Sequence, residues 1–195
     1  MKSLIDYYDD SAELWANNWY ENDELLPYLK RFLSYLPKSP KVLDLCCGAG
    51  YESMRLHKLG ANVVGADLSE GELKIARERN PEIKFYKKDM LKSYKDLGSF
   101  DGIACIAGIV HLETEQLSLC FEKMSEVLKS GGYLFLVYGF GKDNVHSVTY
   151  NGEVYSRNFI SHTREEIISA MNGKFEFVEE LEPIRYFKHE IYKKC

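Results

Sequence analysis

Val42-Leu43-Asp44-Leu45-Cys46-Cys47-Gly48-Ala49-Gly50 is a short apolar run that passes directly into a glycine-rich turn. Two glycines one residue apart let a chain turn sharply and bring its backbone close to a ligand, because no Cβ stands in the way. Downstream, short apolar runs alternate with helical stretches, the signature of βαβ units around a parallel sheet. Strands are expected at 41–46, 61–67, 83–88, 100–107 and 133–138. Ser69 with Glu72 forms a capping-box pattern opening a helix that stops by Asn80-Pro81. Residues 114–129 carry Leu117, Phe121, Met124 and Leu128 on one face before Gly131-Gly132. Upstream, 22–36 sets Leu25, Leu29, Phe32, Leu33 and Leu36 on one stripe, with Asn22 or Asp23 as cap and Pro37 as stop.

After Tyr138 the pattern loosens. Asn151-Gly152, flanked by Val148, Tyr150, Val154 and Tyr155, predicts a hairpin with a type I′ turn lying outside the core sheet. Thr163 with Glu166 opens one more helix ending near Asn172-Gly173, and strands at 174–181 and 185–193 close the chain as an antiparallel edge hairpin. The 195 residues, 45% of them apolar, fit one domain with one sizeable core. Its expected parts are a helical lid (1–38), a ligand-binding core (40–140), a variable insertion (141–162) and a closing helix with hairpin (163–195).

A net charge of −5 and a pI near 5.6 argue against a nucleic-acid partner or an anionic membrane surface, which need clustered Lys and Arg. Five cysteines without framework spacing and without a CxxC pair predict reduced thiols, no metal site and a cytoplasmic protein. No apolar run approaches the ~18 residues of a membrane span. The protein is expected to be a monomer or homodimer.

Three acids stand at the ends of three successive strands: Asp44 inside the first, Asp67 at the end of the second, and Asp89 after the third. In doubly wound sheets this rim is where ligands bind. A dinucleotide would place an anionic pyrophosphate at the helix N-terminus, where a carboxylate is costly. S-adenosylmethionine has no phosphate and carries sulfonium and ammonium groups, which acids favour. Asp67, 17 residues beyond Gly50, suits ribose hydroxyls; Asp89 can accept from an adenine amine while Met90 covers the ring. Asp44 also has a purely structural reading, bonded to neighbouring loop groups.

VLDLCCGAG, VVGADLS, KKDM, FDGIACIAGIVHL and LKSGGYLFL, in that order over residues 40–140, resemble the class I S-adenosylmethionine-dependent methyltransferases. The resemblance implies a three-layer, doubly wound Rossmann-like fold with seven mostly parallel strands, the last antiparallel. It implies S-adenosylmethionine as cofactor, S-adenosylhomocysteine as product, and a small-molecule methyl acceptor. It sets Asp44, Gly48 and Gly50, with Cys46 among them, around the methionine end, Asp67 on the ribose and Asp89 with Met90 at adenine, and adds Leu68 and Ile106 as cofactor contacts. Cys46 departs from the family's usual glycine, and a thiol fits there if φ is negative. A non-catalytic S-adenosylmethionine-binding domain is one alternative. An NAD(P)-dependent oxidoreductase is another, although Ser53 stands where a dinucleotide motif needs its third glycine.

His111, just past the fourth strand, is the candidate catalytic base, its competing role being to orient the loop or contact the cofactor. His146, Tyr138 and Tyr150 are weaker candidates. Of the N-terminal aromatics Tyr7, Tyr8, Trp15, Trp19 and Tyr20, which are expected to form a lid, Tyr8 and Tyr20 are placed in contact with the cofactor.

Overall fold

The computed structural model describes residues 1–141 and 144–195, the side chains of 144–146 excepted. Seven strands form one sheet: β1 (Lys41–Leu45), β2 (Asn62–Asp67), β3 (Lys84–Lys87), β4 (Phe100–Ile106), β5 (Leu128–Gly139), β8 (Phe175–Ile184) and β9 (Phe187–Lys194). Their order is β3-β2-β1-β4-β5-β9-β8. All neighbours from β3 to β5 run parallel, while β9 runs antiparallel to both β5 and β8. This is the expected doubly wound sheet with its last strand reversed. The order changes direction between β1 and β4, and a doubly wound sheet opens its ligand crevice there, beyond the strands' C-terminal ends.

Period-two alternation sends side chains to both faces, and both are covered. On one face Leu43, Ile103, Cys105, Leu134 and Leu136 pack under α5 (Thr114–Val127) and α6 (Arg164–Met171). On the other, Val42, Ala104, Phe135 and Val137 pack under α2 (Leu26–Leu33), α3 (Tyr51–Lys58) and α4 (Glu70–Arg79). The stripe at 22–36 forms a shorter helix than its pattern predicts. It starts at Leu26 with Pro27 in its first turn and Leu25 as an N-cap without a side-chain bond, so neither Asn22 nor Asp23 caps it.

Two elements roof the sheet. Helix α1 (Leu4–Trp19) opens with a capping box between Ser3 and Asp6. Strands β6 (Asn144–Tyr150) and β7 (Glu153–Phe159) pair as a separate hairpin, with Asn151 and Gly152 both at positive φ, as a type I′ turn requires. Lys2 bridges to Tyr155, with its N–H donating to Val154 O at 2.9 Å, so lid and hairpin are joined into one cap. No helix among the described residues is long and apolar enough to cross a membrane.

Candidate active site

A cavity of about 500 Å³ lies over the ends of β1, β2 and β4 and the loop after β3. Helix α1, β7 and the β8–β9 turn close it from above. Its floor is the glycine loop, whose shape is set by a few bonds. The N–H groups of Cys46 and Cys47 both donate to Ala66 O at 2.7 and 3.1 Å, and Gly48 N–H donates to Asp67 Oδ2 at 2.9 Å. Cys46 sits at φ +64°, not the negative φ under which a thiol would fit without strain. Its Sγ is accommodated because the facing residue on the next loop is Gly108, where an added Cβ would lie 2.7 Å from that sulfur.

The cavity brings together Tyr8, Cys46, Gly48, Asp67, Leu68, Asp89, Met90, Ile106 and His111. Asp67 is held by backbone: Oδ2 accepts from Gly48 and Oδ1 from Ser69 N–H at 2.9 Å, while burial pushes its carboxyl upward against these bonds. Asp89 Oδ1 accepts Leu91 N–H at 2.9 Å, which fixes the loop carrying Met90.

Asp44, Gly50 and Tyr20 do not line the cavity. Asp44 is fully buried behind the loop, where it accepts Ser53 Oγ–H at 2.6 Å, and burial raises its carboxyl to about 7. Gly50, at φ +82°, is the N-cap of α3, and a Cβ there would meet the Phe85 ring at 2.9 Å. Tyr20 donates its O–H to Ala49 O at 2.6 Å and accepts Asn80 Nδ2–H at 2.8 Å, so it braces the loop from behind. Tyr138 is likewise a core residue, its hydroxyl bonded to Glu190. The side chain of His146 lies outside the described residues.

His111 joins cap to core. Its Nδ1 lies 2.7 Å from Asn158 O, and a carbonyl only accepts, so Nδ1 carries the proton. Nε2 then accepts the Tyr8 O–H at 2.9 Å. Burial, with Arg157 nearby, lowers the imidazole to about 4 despite the bond to Asn158, and burial raises the Tyr8 phenol. Neutral and already occupied at Nε2, this imidazole is a weak base in this arrangement and a firm holder of Tyr8.

Three cavity residues are not singled out by sequence. Glu72 appears in the sequence as half of a capping box, and Ser69 Oγ does accept Glu72 N–H at 3.1 Å. The reciprocal bond is absent because Asp67 takes Ser69 N–H, and Glu72 is buried against the cavity instead. Burial first, then Asp67, raises it to about 8. Glu52 is buried beside Arg55 and raised to about 7, again chiefly by burial. Arg157 projects from β7, in a segment whose alternation signals only a hairpin.

Residues 42–132 match the family model described as a methyltransferase domain. The ubiquinone biosynthesis O-methyltransferase of Xanthomonas axonopodis pv. citri (strain 306) is 31% identical over 137 residues, 62% of this chain and 56% of that protein. Among solved structures, the PH0226 protein of Pyrococcus horikoshii OT3 shares the fold with a TM-score of 0.74 at 23% identity, over 88% of each chain. S-adenosylmethionine-bound CalS10, an amino pentose methyltransferase from Micromonospora echinaspora, does so with 0.71 at 19% identity, over 89% of this chain and 91% of that one. The chain spans about half the length of the curated relatives it matches, from 41% to 57%.

Proposed function

We propose that this chain, whose residues 42–132 match the methyltransferase-domain model, is a class I S-adenosylmethionine-dependent methyltransferase that moves the donor's methyl group to a small-molecule acceptor. The observation that carries this reading is a cavity over a glycine loop whose lining includes Asp67, Glu52 and Glu72, with Glu52 Oε2 and Glu72 Oε2 buried and without hydrogen-bond partners. Orphaned carboxyl oxygens suit a ligand bearing positive charge and are poorly suited to a pyrophosphate. When bound, S-adenosylmethionine would supply an electrophilic methyl group on a positively charged sulfur, held by Asp67, Asp89 and the glycine loop.

The chain's part is to bind, orient and exclude water. Asp67, its Oδ atoms fixed by Gly48 and Ser69, is assigned to the ribose hydroxyls with Leu68 beside it. Asp89, Met90 and Ile106 are assigned to adenine, and Cys46 and Gly48 to the methionine end. Asp44 acts through Ser53 as a positioning residue behind the loop. Tyr8, latched by His111, closes the cavity over the donor, and the joined cap leaves room for a small acceptor rather than a polymer.

Calorimetry with S-adenosylhomocysteine and with NADH tests this. Binding of the first and not the second is expected, and the reverse pattern would overturn it. Asp67→Ala is expected to weaken S-adenosylhomocysteine by about 1.5–3 kcal/mol, the range for hydrogen bonds to a charged group, in a protein that still folds. An unchanged affinity would remove Asp67 from the site.

A further inference from the structure

We infer that Arg157 forms a carboxylate seat at the cap end of the cavity, so that the acceptor is an apolar molecule bearing a carboxylate; the inference rests on the methyl-transfer reading above. Arg31, Arg55, Arg77, Arg164 and Arg185 each pair with a glutamate. Among the described residues neither Arg79 nor Arg157 has a carboxylate partner, but Arg79 donates to Asn17 Oδ1 at 2.8 Å. The Arg157 guanidinium lies instead 5.6, 5.9 and 5.3 Å from the ring centroids of Tyr7, Tyr8 and Trp15. One long bond reaches Tyr8 Oη at 3.4 Å, and its Nε is buried with no acceptor at all.

A guanidinium drawn under aromatic rings with a donor unsatisfied is costly unless a ligand completes it. Its planar fork matches a carboxylate with two parallel bonds. The protein itself offers it little: Asn158 O is taken by His111 Nδ1–H, and Tyr8 gives its proton to His111 Nε2. The lining acids Asp67, Glu72 and Glu52 belong to β2 and the first turns of α4 and α3, and Arg157 belongs to the cap with Phe159 on the same strand. The other lining cations, Lys88 and Arg185, are already paired with Asp96 and Glu24. A cationic donor and an anionic acceptor then each meet the opposite charge, one on the core and the other on the cap.

Benzoate and its neutral isostere benzamide, titrated into the full chain with and without S-adenosylhomocysteine, test the assignment by calorimetry. Benzoate is expected to bind about 10- to 100-fold more tightly, as a charge-assisted pair allows. The preference should vanish in Arg157→Gln and survive in part in Arg157→Lys. Equal affinities in the unmodified protein overturn the proposal, as does a preference that persists in Arg157→Gln. The titration without S-adenosylhomocysteine keeps this comparison decisive even if that ligand fails to bind, a failure that would remove the donor reading alone. If Arg157→Gln weakens S-adenosylhomocysteine but not methylthioadenosine, which lacks the amino-acid carboxylate, Arg157 serves the donor and the acceptor assignment falls.

Discussion

At Cys46 a thiol-bearing residue holds a left-handed backbone position that costs roughly 1–2 kcal/mol for a non-glycine residue. What tolerates it is Gly108, whose own backbone (φ −78°, ψ −48°) would accept alanine readily. Gly108→Ala is therefore expected to destabilise the protein by about 1–3 kcal/mol through overpacking against the sulfur. Adding Cys46→Gly should recover most of that loss. Urea unfolding of the two single variants and the double variant checks the coupling, and strictly additive losses would refute it. His111 gives a second prediction. Lowered to about 4 and tied at both nitrogens, it is expected to show no ionisation between pH 5 and 8 by NMR, and a midpoint near 6.5 would contradict the latch. At this scale sequence reveals position better than direction. Asp67, Asp89 and His111 are legible because apolar runs stop where the sheet does, and the residues just beyond each run must lie on its rim. Glu72 and Arg157 are not. The first fits a capping pattern that Asp67 pre-empts, and the second sits in a strand whose period says which side it faces but not what lies there.

Helix α1 docks on α4 through apolar packing of Ala12 and Ala16 with Ile75, a bond from Arg79 to Asn17, and, at the start of α4, one carboxylate set against a residue with no side chain. Asp9 Oδ1 accepts Ser69 Oγ–H at 2.6 Å and Gly71 N–H at 2.9 Å, so the lid helps cap the helix beneath it. A Cβ on Gly71 would lie 2.4 Å from Asp9 O. In an isolated helix Gly→Ala stabilises by about 1 kcal/mol. Here Gly71→Ala is expected to do the opposite locally, raising amide exchange across Leu4–Trp19 and weakening S-adenosylhomocysteine although residue 71 lies outside the cavity. A more stable variant with unchanged exchange would mean that α1 does not seat on α4 this closely. The core elements are legible from period and caps, since burial on both faces leaves continuous apolar runs and helices between them need start and stop signals. The hairpin is legible from Asn151-Gly152. Its union with the lid is not, because a bridge from Lys2 to Tyr155 spans most of the chain and leaves no local pattern.

Across the whole molecule, the acids that shape the cavity make folding sensitive to pH in a defined direction. Burial is the main cause in each case: Asp44 and Glu52 are held near 7 and Glu72 near 8, against 3.8 for an ordinary Asp and 4.5 for an ordinary Glu. Between those values the folded state keeps protons that the unfolded chain has released, so stability falls as pH rises. Their contribution is complete below the ordinary carboxylate range and is lost as pH climbs through 7 to 8. His111 and His189 act oppositely. Lowered to about 4, they leave the unfolded chain with more protons up to 6.5, so their term grows more favourable with pH over that range and then levels off. The two trends offset each other below 6.5, and above it the carboxyls act without that opposition. The melting temperature of the protein without ligand is thus expected to fall from pH 6.5 to about 8, more gently in Glu72→Gln, whose side chain cannot ionise. S-adenosylmethionine should flatten the same slope more than neutral-sulfur S-adenosylhomocysteine does, because a cation near Glu72 favours the ionised carboxylate. A melting temperature that climbs through this window, or a slope that Glu72→Gln leaves untouched, would show that these carboxyls are not held protonated by the fold.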